Sequence, residues 1–284
     1  MNPRKAGCIL AAFLIAFVPL ALAQGAYTQI DVPGAIQTAA YGLDTAGDIS
    51  GYYVDSGNQA HGFLFSGGIY TTIDYPGAGN TILNGINDSN QIVGFTYDPV
   101  IGFIYNIQTQ VFSSVSCPHA TATYPYAING AGTVVGTFTH GDNSAVSGFE
   151  LVGAAYRRIE PASGGNTFAN GIDASGLIVG DSAAGNFLFK GGTYRRLRIP
   201  NANGAVPVGI GPAGNVIVGY YEPLNSFVGY IFQNKVVTTL QFPASTETVA
   251  TGINAVGEVV GYFLDASNVT HGFTWTPPAD AAKK

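Results

Sequence analysis

Charge is scarce in this chain: only 10% of its residues are Asp, Glu, Lys or Arg, and it holds one Met, one Trp and two Cys. With so little Glu, Lys and Arg the usual builders of exposed helices are missing, which argues against a helical protein. One cysteine, Cys8, lies in an apolar N-terminal run, which leaves Cys117 without an internal disulfide partner. Stability must come from packing rather than from cross-links. What is abundant points to strands and turns: 39 Gly, 16 Tyr and 17 Phe accompany many Val, Ile and Thr. An apolar content of 46% is ample for a core and excludes disorder.

The first 23 residues read as a secretory signal peptide: a basic start at Arg4-Lys5, an apolar run from Ala6 to Leu20, and Ala21-Leu22-Ala23 as a cleavage pattern. Without them the chain carries nine basic against 17 acidic residues, a net charge of −8. An acidic chain disfavours nucleic acid and anionic membranes, both of which are bound through Lys and Arg. The expectation is a secreted protein, extracellular or periplasmic, with no membrane span after cleavage.

The stretch Gly85-Ile-Asn-Asp-Ser-Asn-Gln-Ile-Val-Gly94 recurs, in variant form, starting at Gly42, Ala127, Gly171, Gly209 and Gly252, so there are six copies. Each copy leads into a Gly-aromatic strand, as in His61-Gly-Phe63 and His271-Gly-Phe273, and then into a strand that runs to a proline, as in Tyr70-Thr-Thr-Ile-Asp-Tyr-Pro76. Pro33, Pro76, Pro118, Pro161, Pro200 and Pro243 are spaced by 43, 42, 43, 39 and 43 residues. Four short strands repeating at that period predict an all-β fold, a six-bladed β-propeller of four-stranded antiparallel blades over residues 24–276. The chain starts with an unpartnered outer strand, Tyr27-Thr-Gln-Ile-Asp-Val-Pro33, and its last repeat lacks one. The N-terminal strand should therefore complete the last blade and close the ring. Residues 277–284 are expected to form a flexible tail. In the repeated segment, Asn or Asp opens a tight turn and Gly three residues on takes positive φ, so the segment reads as scaffolding.

The pattern Gly-Ile-Asn-x-x-Gly-x-Ile-Val-Gly-Tyr, followed by His-Gly-Phe and Tyr-x-x-Ile-Asp-x-Pro-Gly, resembles the bacterial extracellular HAF repeats, named for a His-Ala-Phe motif. The resemblance covers residues 25–276, although the His stands only at His61 and His271 and blade four departs furthest, with Gly185-Asn186-Phe187. It implies a secreted repeat protein with a propeller-like fold and no particular activity.

Several motif matches carry no chemistry. Gly209-Ile-Gly-Pro-Ala-Gly214 fits G-x-G-x-x-G, but it is a copy of the inter-strand turn with no helix behind it. Gly180-Asp-Ser182 lacks the G-x-S-x-G elbow of a hydrolase nucleophile. More informative is an acid after the second strand of most repeats, Asp55, Asp98, Asp181, Glu222 and Asp265, with His140 and Asp142 in the third. With His61 and His271 these form a candidate ligand-binding loop face, although turn chemistry alone accounts for Asp there. The two histidines fall too far apart for a shared metal, and no metal or cofactor is expected. Arg157, Arg158, Arg195, Arg196 and Arg198 lie on two outer strands, either as edge protection or as a docking patch for an anionic partner.

These features predict a monomeric binding or interaction module of the cell envelope or the exterior, with a polysaccharide or a cell-surface protein as partner and no catalytic constellation in view. The alternatives are an extracellular glycan-active hydrolase or lyase with its site at the channel mouth, and a purely structural repeat protein.

Overall fold

The computed structural model describes residues 25–278 except 143, 162, 163 and 224. The expected leader and all of the expected tail beyond Pro278 lie outside the described residues. No helix among the described residues is long and apolar enough to cross a membrane.

Strand β1 (Ala26–Ile30) stands alone in sequence and is followed by six repeats. Blade one is β2 (Gln37–Leu43), β3 (Ile49–Val54), β4 (Ala60–Ser66) and β5 (Ile69–Ile73). Blade two is β6 (Asn80–Asn87), β7 (Gln91–Tyr97), β8 (Gly102–Asn106) and β9 (Val111–Val115). Blade three is β10 (Ala120–Ile128), β11 (Val134–His140), β12 (Val146–Val152) and β13 (Ala155–Ile159). Blade four is β14 (Thr167–Ile172), β15 (Ile178–Ser182), β16 (Phe187–Lys190) and β17 (Thr193–Arg196). Blade five is β18 (Val206–Ile210), β19 (Val216–Tyr221), β20 (Val228–Gln233) and β21 (Val236–Leu240). Blade six supplies β22 (Glu247–Ile253), β23 (Val259–Leu264) and β24 (Thr270–Thr276) from the C-terminal end. Its fourth strand is β1, which pairs antiparallel with β24 from Ala26↔Thr276 to Ile30↔Gly272. The chain is a six-bladed β-propeller closed by its N-terminal strand.

The repeated residues each have a mechanical reason. The second-strand glycine lies opposite the third-strand aromatic in every blade, for example Gly51↔Phe63 and Gly180↔Phe187. A Cβ at Gly180 would collide with the Phe168 carbonyl oxygen and sit 2.7 Å from the Phe187 ring. The ring thus covers bare backbone, and Phe63, Phe103, Phe149, Tyr230 and Phe273 are completely buried. Hydrophobic clusters span neighbouring blades, as where Val260 of blade six joins Ile30, Ala40 and Phe63. Each blade therefore depends on the next for its core.

The six spaced prolines lie just beyond the outer strands rather than in their ladders. Pro33 and Gly34 (φ 84°) are the central pair of a turn closed by Ala35 N–H to Val32 C=O at 3.1 Å, the pattern of a type II turn. Pro76-Gly77 repeats it.

The turns between first and second strands behave as expected, and they also lock the blades together. Asn129 Oδ1 accepts from Ala131 N and Thr133 N at 3.1 and 3.0 Å, while its Nδ2 donates to Asp173 O of the next blade at 3.1 Å. Asn87 does the same to Asn129 O at 2.8 Å, and Asn254 to Asp44 O at 3.1 Å across the ring closure. Where Asp replaces Asn, as at Asp173, the turn survives and the amide link is missing.

Candidate functional site

The predicted loop face divides into separate local structures. Asp55 and Asp265 open equivalent turns: Asp55 Oδ1 accepts from Gly57 N and Gln59 N at 2.8 and 2.9 Å, and Asp265 Oδ1 from Ser267 N and Val269 N at 2.8 and 2.9 Å. These backbone donors, Gln59 and Val269 first, hold both carboxyls below their ordinary range. His61 bridges Asp55, 3.5 Å from Nε2, and Asp74, 2.8 Å from Nδ1. His271 bridges Asp265 at 3.6 Å and Asp31 at 3.0 Å in the same way. Asp74 and Asp31 are the aspartates of the Ile-Asp-x-Pro motif. The two motifs that define the repeat thus meet through the His, and His61 and His271 serve separate carboxylate pairs. Burial works against charge on His61, but the hydrogen bond to Asp74 and the charges of Asp74 and Asp55 outweigh it and raise its pKa.

Asp98 and Glu222 are exposed, Asp98 with φ 54° ahead of a cis bond to Pro99. His140 stacks on Phe138 with ring centroids 5.1 Å apart and contacts Ser147 Oγ at 2.9 Å, while Asp142 binds its own turn through Ser144. Of the arginines, Arg157 pairs with Glu150 at 3.2 Å and Arg158 with Glu160 at 2.5 Å. Arg195, Arg196 and Arg198 are exposed on or just after β17.

Asp181 is different. It stands one residue after the second-strand glycine, opposite Phe168 of the innermost strand, and it faces the axis of the ring. There a cavity of about 890 Å³ is lined by residues from all six blades.

The backbone explains how side chains reach that cavity. The innermost strand of every blade carries a register shift at the same place, which leaves Tyr41, Tyr126, Asn170, Val208 and Thr251 without a ladder partner, and Asn84 with Gly85 in blade two. Such a bulge bends the strand and re-aims the extra side chain. All six re-aimed side chains line the cavity. In alternate blades they are polar and reach sideways to the carbonyl that precedes the neighbour's bulge. Asn84 Nδ2 donates to Pro125 O at 2.8 Å, Asn170 Nδ2 to Pro207 O at 2.8 Å, and Thr251 Oγ1 to Ala40 O at 2.9 Å. Blades one, three and five present Tyr41, Tyr126 and Val208 instead.

A second tier comes from the residue after the second-strand glycine: Tyr52, Phe95, Asp181 and Tyr220 reach the cavity from it. Tyr41 stacks on Tyr52 at 5.7 Å and meets the edge of Tyr262 at 6.2 Å. Burial, with the neighbouring Tyr52 and Tyr262, raises the Tyr41 phenol well above its usual range, and burial pushes Tyr126 up to about 12. In all, seven aromatic side chains and three carboxylates, Asp44, Asp88 and Asp181, line the cavity, and no Lys, Arg or His among the described residues does. Asp181 Oδ1 accepts from Asn170 Nδ2 at 2.8 Å. Burial raises the Asp181 carboxyl, and this hydrogen bond only partly opposes it.

Sequence reading missed the aromatic cavity wall and placed Asp181 among the loop acids. The overlooked signal was variation inside a constant frame. The residue before Gly-Leu, Gly-Ile or Ala-Ile in the innermost strand is Tyr, Asn, Tyr, Asn, Val and Thr from copy to copy, while its surroundings hardly change.

Fold and cavity together define a six-bladed β-propeller with a single space on its axis, lined from every blade. The sequence matches no protein-family model and no curated protein. Solved structures resemble the fold at low identity. A gluconolactonase from Xanthomonas campestris superposes with TM-score 0.57 at 11% identity, covering 93% of this chain and 93% of its own. A streptogramin B lyase gives 0.50 at 12%, covering 88% of this chain and 98% of that one. TolB from Acinetobacter baumannii gives 0.53 at 12%, covering 86% of this chain and 65% of TolB. At such identities these likenesses establish the architecture alone.

Proposed function

We propose that the chain is an exported binding propeller built from HAF-type repeats, and that its ligand is a small molecule held in the axial cavity. One observation carries this reading: six bulges at one register position turn side chains into a single cavity of about 890 Å³ with seven aromatic rings in its wall. That volume is typical of a small-molecule site, and large apolar walls with a few convergent polar groups are its usual composition. The repeat frame needs none of this variety, since the turns, Gly–aromatic pairs and His–Asp bridges are complete without it. Binding is favoured over catalysis because the side chain hydrogen-bonded to Asp181 is an amide, Asn170, which neither donates nor accepts a proton in turnover. The acidic exterior and the leader pattern support an extracellular or periplasmic setting, where a polysaccharide fragment or an exported metabolite would be met.

The test is a calorimetric screen of the purified protein against sugars, amines and small aromatics, repeated with Val208→Trp, which fills the cavity from one wall. Binding that the tryptophan abolishes, with the melting temperature kept, is the expected result. A ligand that binds the filled variant equally well sinks the cavity as its site.

A further inference from the structure

Resting on that reading, we propose that the axial cavity selects a small organic cation, its ammonium group seated between the Asp181 carboxylate and the faces of the surrounding tyrosines. Two independent features of the wall converge on this class. The first is charge: three carboxylates and no basic side chain among the described residues line the space, and Asp181 takes part in none of the ion pairs. An anion would meet three carboxylates and no basic side chain to offset them. A neutral sugar would leave the carboxylate without a counter-charge in a desolvated place, where an unpaired charge is costly.

The second feature is the rings. Tyr41, Tyr52, Tyr126 and Tyr220 belong to the same wall as Asp181, and Tyr220 and Asp181 hold the same place, one residue after the second-strand glycine, in the adjoining blades five and four. Ring faces attract alkylammonium groups, most strongly out of water. The apolar exterior of an alkylated ammonium suits such a wall better than a strongly hydrated metal ion does. Asn170 fixes the carboxylate through one hydrogen bond and is itself anchored to Pro207 O, so Asp181 is held in place before any ligand arrives. The excess of acidic residues outside would steer the same class of compound toward the ring.

The experiment compares charge at constant shape. Choline and benzyltrimethylammonium are titrated into the full chain at pH 7.5 beside their uncharged carbon isosteres, which carry a tert-butyl group in place of trimethylammonium. The cations should bind at least about tenfold more tightly, as a desolvated cation–π contact with a carboxylate allows. Asp181→Asn should bring each pair to within about twofold, and Tyr220→Leu should weaken the cations severalfold while leaving Asp181 in place. Equal binding of cation and isostere, abolished by Val208→Trp, would overturn the charge preference and leave the cavity reading standing. Failure of all four probes to bind the wild-type protein would overturn the proposal, and the wider screen then decides the cavity reading by itself.

Discussion

Asp55 and Asp181 leave the same strand of the repeat only three residues out of step, and their surroundings are opposite. Asp55 lies past the ladder in a turn, caught by two backbone N–H groups and by His61, and its carboxyl is held low. Asp181 is still inside the ladder, one residue after the glycine, among aromatic rings with an amide for company, and its carboxyl is held high. Because side chains alternate sides of a strand and the ladder ends at a fixed place, a shift of three residues moves a carboxylate from solvent to the axis. An aspartate near a strand end is thus either a turn former or a site, and register decides which.

The scaffold common to both aspartates can be tested first. Gly180→Val and Gly51→Val should each destabilise the propeller by about 3 kcal/mol, since the new side chain must displace a buried ring and a strand carbonyl. Urea midpoints of the two variants should match, because the two blades share this frame. Unequal losses would show that the repeats are not mechanically equivalent.

Next comes the support of Asp181. Asn170→Leu removes the donor to Asp181 and to Pro207 O together, and at pH 8 should cost about 1–3 kcal/mol, with a smaller loss once Asp181 is protonated. Asn84→Leu in blade two loses the inter-blade bond to Pro125 but strands no carboxylate, so its loss should not depend on pH in the same range.

Replacing the aspartates themselves should give opposite signs. Asp181 has a folded-state pKa above its unfolded value, so its protonated form favours the native state. That contribution is fully present below the unfolded pKa and disappears as pH rises through the folded one. Asp181→Asn should therefore stabilise the ligand-free protein at pH 8, on the order of 1 kcal/mol. Asp55 has a depressed folded pKa, and its contribution exists above the unfolded pKa and is lost as pH falls through the folded one. Asp55→Ala should lower the melting temperature at pH 8 and have a diminishing effect in acid. If both substitutions shift stability in one direction across pH 4 to 8 in paired melts, the contrast between the two sites is wrong.

The smallest effect is expected at His61. Its folded pKa is raised, so its bridge to Asp74 and Asp55 stabilises below the unfolded pKa and is lost as pH rises through the folded one. His61→Gln should cost about 0.2–1 kcal/mol at pH 5 and almost nothing at pH 8, the scale of a partly exposed ion pair. A loss that stays constant over this range would show that His61 acts by packing on Tyr53, 5.1 Å away, rather than by charge.

Blade count, strand order, turn chemistry and ring closure could all be read from the residues, because each is a local pattern repeated six times at a nearly constant period. The role of His61 and His271 was less legible. A histidine after the second-strand loop and an aspartate before a proline stand 13 residues apart at His61 and Asp74, and 240 apart at His271 and Asp31, so only pairing of β4 with β5 and of β24 with β1 shows them to be one bridge. The cavity was hardest to see, since Tyr41, Tyr126 and Asn170 come from different blades and are brought together by ring geometry and not by spacing.

By itself the sequence determined the architecture, because Gly–aromatic pairs, Asx turns and Pro–Gly corners are satisfied within one repeat or between neighbours. Tertiary structure alone decided what faces the axis. A bulge of one residue in each innermost strand chooses which side chain turns inward, and the closing of six blades into a ring sets those choices against one another around a single axial cavity.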